Sequence, residues 1–429
     1  MHCSESRALA FGAAIAAALA FAQPVTAAGD RFTIAVIPDT QNYVDYQHQK
    51  AEGFPFDARP LFIEQMQFVA DHVASAGGEI AFVTALGDVW QHQSLDIDPG
   101  HAARGFAVEK IDSKFFGPKP GTRAVEMPSA AAGYDLIAGK VPFAVVPGNH
   151  DYDAMWIKPR PAGADGKPVG PLLVHVGGLT NFTSVFGSGS HYFKGRPWYV
   201  ASHDDGADSA QIFTAGGYRF LHIGLQFDPP DVSLAWAVAV MKKYPGLPTI
   251  LTTHDYMNKE AQRVVAPPTD NHALDARDNN PEMVWQKLVS THRQIFMVLA
   301  GHQSGQALRV DRNKAGGAVY QLLSDYQDRG QLLKEAGLTL GPLLGLGDGW
   351  MRLMEFDMGA KVPVVHVRTW STHYGSFSSE LPTYAAWYKA EEKPKLSDEA
   401  YNREDDFTLT LADFRARFDR RARVRAGRR

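Results

Sequence analysis

The sequence predicts an α/β fold in which strands and helices alternate around a sheet. Three observations lead there. Short apolar runs rich in β-branched residues recur along the chain, helical periodicity fills several of the stretches between them, and five of the runs end in a cluster of polar residues. Continuous apolar runs suit strands buried on both faces.

The elements follow in order. Phe32 to Ile37 reads as a strand and runs into Pro38-Asp39-Thr40-Gln41. Pro60 to Ala76 carries Leu61, Phe62, Met66, Val69 and Val73 at helical spacing, with Pro60 suited to the first turn and Gly77-Gly78 as a stop. Ile80 to Leu86 leads into Gly87-Asp88, and Val141 to Val146 into Pro147-Gly148-Asn149-His150-Asp151. Val232 to Tyr244 is a helix through Leu234, Trp236, Val238 and Met241, broken by Pro245. Thr249 to Thr253 ends at His254-Asp255. Pro281 to His292 is a third helix, with Val284, Leu288 and His292 in register, and Ile295 to Ala300 ends at Gly301-His302. Ala318 to Leu323, Trp350 to Phe356 and Val364 to Trp370 are further strands. Gln93 to Lys140 and Trp156 to Gly206 lack strong periodicity and read as long loops of the lid or rim kind. Ligands of open α/β sheets bind beyond the carboxyl ends of strands, so all five polar clusters are expected at one sheet edge.

Composition bounds the function. A 429-residue chain with 45% hydrophobic and 21% charged residues is globular, and a net charge of −4 gives no basic field for nucleic acid. Arg7, the Ala-rich run from Ala8 to Ala22 and the small residues Val25-Thr26-Ala27-Ala28 read as a cleavable signal peptide over residues 1–28, hence a secreted or periplasmic protein without a transmembrane segment after cleavage. The sole cysteine, Cys3, lies in that leader. Disulfides and thiolate ligands are then excluded from the mature chain, and a metal would be held by Asp, His, Asn or Gln, a set that suits Mn, Fe or Zn. No Gly-x-Ser-x-Gly elbow and no Walker-type loop is present. The division expected is a main domain over 29–375 and a C-terminal extension over 376–429, whose Arg-rich end reads as a solvated or frayed terminus.

The ordered motifs Asp39-Thr40-Gln41, Gly87-Asp88, Gly148-Asn149-His150-Asp151, His254 and Gly301-His302 resemble the signature of the calcineurin-like metallophosphoesterases. The resemblance spans residues about 33 to 304. It implies a four-layer α/β/β/α sandwich and a metal-dependent hydrolase of phosphate mono- or diesters, with attack by a metal-bound hydroxide. Two cations roughly 3.5–4 Å apart serve such a reaction by activating water and neutralising phosphoryl charge. By resemblance, Asp88 bridges the two ions, Asn149, His254 and His302 complete the second site, and Asp39 and Gln41 belong to the first. His150 stabilises charge or protonates the leaving oxygen, and Asp151 orients His150.

Two positions depart from the pattern. Gln41 stands where the family usually has His, and Ser304 stands where it expects a further His ligand of the first metal. His92, in Gly-Asp-Val-Trp-Gln-His, is a candidate replacement ligand or a substrate-facing residue. Alternatives to the esterase reading are a nuclease or other phosphodiesterase of the same fold, and a metal- or phosphate-binding relative without turnover. His175, His191 and His203 lie in an aromatic-rich segment and read as folded-in surface residues, with a substrate rim as the alternative.

Overall fold

Two seven-stranded sheets and a three-stranded one organise the chain in the computed structural model, which describes residues 29–111, 117–263, 269–338 and 345–423. The protein is a mixed α/β structure. Residues 1–28, for which the sequence predicts a leader, lie outside the described residues. No helix among the described residues is long and apolar enough to cross a membrane.

At the heart of the first sheet Arg31–Ile37, Ile80–Ala85 and Phe143–Val145 run parallel, with Ile37 level with Ala85 and Ala85 level with Val145. Trp350–Asp357 and Val364–Ser371 continue it antiparallel. In the second sheet Tyr218–Leu225, Thr249–Thr253, Ile295–Ala300 and Ala318–Asp325 are parallel neighbours, and antiparallel strands close both edges. The expectation of one sheet edge is therefore corrected. The five polar clusters divide between two sheets, three on the first and two on the second.

The pleat sorts the side chains between cores. Phe32, Ile34 and Val36 join Phe213, Phe220 and Leu221 of the second sheet in one apolar cluster, where Phe32 lies 5.4 Å from Phe220 and stacks on Phe356 at 4.6 Å. Ala35 and Ile37 point the other way, onto Leu61, Phe62, Met66 and Val69 of the Arg59–His72 helix. Burying each of the large side chains among these, Ile37, Phe62, Met66 and Val69, contributes about 1.5–3 kcal/mol. On the second sheet, Asp231–Lys243 buries Leu234, Ala237, Val240 and Met241, a stripe shifted from the expected one because Trp236 and Val238 are only partly covered. The Pro281 helix runs on from Pro281–Val284 as a π-helical turn, Trp285–Val289.

Three further readings are corrected. The hairpin Asp208–Ala215 and Tyr218–Leu225, turned by Gly216-Gly217 at positive φ, supplies inner strands that the sequence reading passed over. The long loops contain structure, including Met127–Asp135, Ala154–Ile157, Val174–Gly177 and Thr180–Phe186. The residues from 376 on pack against both sheets. Asp406–Thr410 pairs with Val364–Ser371, and Phe414–Ala422 buries Phe414 and Phe418 against Phe296 while Arg417 donates to the carbonyls of Ala318 and Ile295. Those arginines up to Arg417 are docking groups, not a frayed end.

Candidate metal centre

Every residue expected at the centre follows a strand end, and the two sheets bring these ends together. Ligand atoms of Asp88, His254 and His302 lie within 4.8 Å of one another. The Leu86 carbonyl accepts from His254 Nδ1 at 2.8 Å. A carbonyl can only accept, so it holds the neutral ring's proton at Nδ1 and leaves Nε2 as a lone pair. That Nε2 stands 3.2 Å from Asp88 Oδ1 and 3.0 Å from Asn149 Oδ1. Three acceptors facing one point call for a cation or a proton. In the protein alone a proton takes the place. Burial opposes it, yet the Asp88 and Asp39 carboxylates push His254 up to about 10.

The remaining groups crowd the same point. Asp39 Oδ2 accepts from the His302 backbone N–H at 3.1 Å, while Asp39 Oδ1 and Gln41 Oε1 are buried without a partner. Gln41 Nε2 donates to Asp88 Oδ2 at 3.1 Å and to Gln327 Oε1. Burial first, then Asp325 and Asp88, holds the Asp39 carboxyl well above its ordinary range. Burial would raise Asp88 too, but the imidazoles of His254, His150 and His302 override it and bring Asp88 below. Burial first, then His254, lowers His302 to about 3, so its imidazole is neutral and able to ligate.

Local backbone explains why these residue types sit together. A Cβ on Gly148 would stand 2.1 Å from Asp88 Oδ1, one on Gly301 2.2 Å from Asp39 Oδ1, and one on Gly87 2.6 Å from His254 Nδ1. Each glycine is a vacancy that a ligand side chain fills. Asp88 at φ 50° and His302 at φ 66° lie in the left-handed region that non-glycine residues avoid at a cost of order 1–3 kcal/mol. Such strain persists only where the surroundings over-determine it.

His150 lies beside the cluster. Its backbone N–H donates to Asp88 Oδ1 at 2.9 Å, and its Nδ1 donates to the Gln91 carbonyl at 2.6 Å. The orienting role given to Asp151 is corrected. Both Asp151 oxygens accept backbone N–H groups, Oδ1 from Val89 and Trp90 and Oδ2 from Gly148, so Asp151 ties the Asp88 loop to the Asn149 turn and the Gln91 carbonyl fixes His150. Burial, then Asp88, raises Asp151 to about 8.

The role given to His92 is also corrected. Its side chain is fully buried, with Nδ1 on Asp45 and Glu126, away from the central group, and so neither faces a substrate nor replaces the missing ligand. Ser304 turns to Asp328 Oδ2. Two residues that the sequence reading missed fill this side: Asp325, whose charge raises Asp39, and Gln327, bonded to Gln41. Their signal was present. Ala318–Asp325 ends in the polar pair Ser324-Asp325, much as the other strands run into polar residues, two positions beyond the run expected to stop at Leu323. Of the rim histidines, His175 is buried against Trp156 at 4.8 Å, His203 pairs with Asp208 at 2.8 Å, and His191 lies outside with Asp135.

No family model matches the chain. It is 24% identical over 395 residues to Uncharacterized protein YvnB of Bacillus subtilis (strain 168). The match covers 90% of this chain and 22% of that protein, so the chain spans about a fifth of the relative's length.

Proposed function

We propose that this protein is a metal-dependent hydrolase of phosphate esters, a metallophosphoesterase whose sheets and flanking helices form the four-layer α/β/β/α sandwich of that superfamily. The observation that carries the reading is the convergence of Asp88, His254, His302 and Asn149 from two sheets on one point, with His150 alongside. The donor set fits divalent cations. It is all oxygen and imidazole, it keeps orphaned buried oxygens on Asp39 and Gln41, and glycines clear its walls.

Asp88, Asn149, His254 and His302 would hold one ion. Asp39, Gln41 and Asp88, with Asp325 in the place of the absent imidazole at Ser304, would hold the other. Bound metals would supply Lewis acidity, lowering the pKa of water from about 15.7 toward about 7 and neutralising phosphoryl oxygens. The chain's own part is to hold Asp88 ionised, to keep His254 as the Nδ1–H tautomer through Leu86, and to present His150 as the group that moves a proton to the leaving oxygen.

The test is hydrolysis of aryl phosphate mono- and diesters by chelator-treated protein resupplied with Mn, Fe or Zn. Metal-restored turnover on either ester class supports the reading and ranks the classes. Tight metal binding without turnover on both refutes it and favours a metal-binding protein, the reading that the turning away of Ser304 supports.

A further inference from the structure

Outside the central cluster, four buried or half-buried side chains from three segments meet at a second point. They are Asp45, His48 on the Tyr46–Glu52 helix, His92 in the loop after Asp88, and Glu126 at the end of the π-helical turn Thr122–Glu126. His48 Nδ1 lies 2.7 Å from Asp45 Oδ1 and 3.0 Å from Glu126 Oε1, and His92 Nδ1 lies 3.3 and 3.1 Å from the same two oxygens.

Two imidazoles thus share two oxygens in four contacts. Each Nδ1 carries at most one hydrogen, so two linear hydrogen bonds are the most this geometry can hold. One cation at the centre would satisfy all four. Ligands about 2.0–2.1 Å from a tetrahedral zinc stand about 3.3–3.4 Å apart, close to the spacing seen. Charge agrees, since two carboxylates and two neutral imidazoles balance a divalent ion in a buried place.

Three local features point the same way. Asp45 occupies the N-cap of its helix, yet its side chain makes no capping bond and turns into the cluster. A Cβ on Gly121 would meet Gln47 Oε1 at 2.5 Å and His48 Cε1 at 2.9 Å, so this glycine leaves room for both side chains. Glu126 sits at the end of a π-helical turn, a distortion that tends to mark functional sites, with its other oxygen taken by the N–H groups of Gln91 and His92.

We infer that Asp45, His48, His92 and Glu126 form a closed, four-coordinate zinc-type site distinct from the central cluster. With every position filled by protein it would be structural. It would brace the segments after Gln41 and Asp88, because Asp45 and His92 each lie four residues beyond those groups. The inference does not rest on the hydrolase reading.

The test uses the full chain with Asp88→Asn and His254→Ala, which remove the carboxylate shared by both proposed central ions and an imidazole of one of them, equilibrated with zinc and dialysed. Elemental analysis is expected to give about one zinc per chain, and cobalt in its place the intense visible absorption of four-coordinate Co(II). Adding His48→Ala, or the isosteric Glu126→Gln should His48→Ala not fold by circular dichroism, is expected to bring zinc to background. Background zinc in the parent variant, or zinc unchanged by the added substitution, overturns the site and leaves a proton-held His–carboxylate network.

Discussion

Two buried charge clusters in this molecule are built on opposite terms. Around Arg329 the fold supplies its own counter-ions. Glu392 accepts from Nε at 2.7 Å, and Asp405 accepts from Arg329 at 3.1 Å and from Arg352 at 2.9 Å, with hydroxyls of Thr369 and Tyr384 on the same carboxylate. Burial works against Asp405's charge, but the two guanidinium groups keep its carboxyl below the ordinary range. Around Asp88 the acids outnumber the cations. Asp39, Asp88 and Asp325 face one another, and an Asp39 oxygen has no partner. Burial is costly in both places. The first cluster pairs its carboxylates with guanidinium groups of the chain, and the second leaves an acid oxygen that a cation could take. That difference separates a structural network from a site.

Substitutions can break or sharpen this contrast. The largest effect is expected from Asp88→Asn, which removes the charge shared by both proposed ions: central metal should fall to background and hydrolysis with it, read by elemental analysis and by turnover. Metal content equal to the wild type would end the bridging role. His150→Ala should keep the metal and lose about 10²–10⁴-fold in turnover, the range of a general acid. A rate equal to the wild type would remove it from the chemistry. On the other side of the contrast, Arg329→Met takes the guanidinium from Glu392, leaves Asp405 with Arg352 alone, and should cost about 3–5 kcal/mol by denaturant unfolding while leaving metal content unchanged. Asp325→Asn should weaken only the ion nearest Asp39, by about 10–100-fold in affinity. Equal affinity in that variant would mean that Asp325 is a bystander.

The smallest effect tests burial without charge partners. His222 lies between Gln211 and Thr252, and burial lowers it to about 3. The unfolded chain binds this proton near pH 6.5 and the folded chain does not, so its share of stability is complete above about 6.5 and is lost as pH falls toward 3, at about 1.4 kcal/mol per pH unit. His222→Gln should flatten that acid limb, measured as unfolding midpoints at pH 7 and pH 5. An unchanged slope would show that other groups carry it.

Much of this was legible because the strands are apolar on both faces. Arg31–Ile37, Ile80–Ala85 and Ile295–Ala300 announce themselves as runs, and the polar residue after each run is forced to the sheet's end. Periodicity does not say which strand pairs with which, so the division into two sheets was hidden. Asp151 misled because its neighbour in sequence is His150, whereas its carboxylate reaches backbone groups of another loop. His92 misled in the same way. Asp88 takes a left-handed turn, and four residues later the chain is back in the interior beside Glu126, a residue in a segment without readable period. Asp45, His48, His92 and Glu126 carry no common spacing, and only the folded chain joins them.

The metal-site proposal places an ion where Asp88, His254, His302 and Asn149 converge. Crystals of the Mn- or Zn-loaded full chain, measured at that metal's absorption edge, would test it most directly. An anomalous peak is expected at bonding distance from an Asp88 oxygen, His254 Nε2 and the His302 ring. A loaded protein with no peak among those atoms would contradict it.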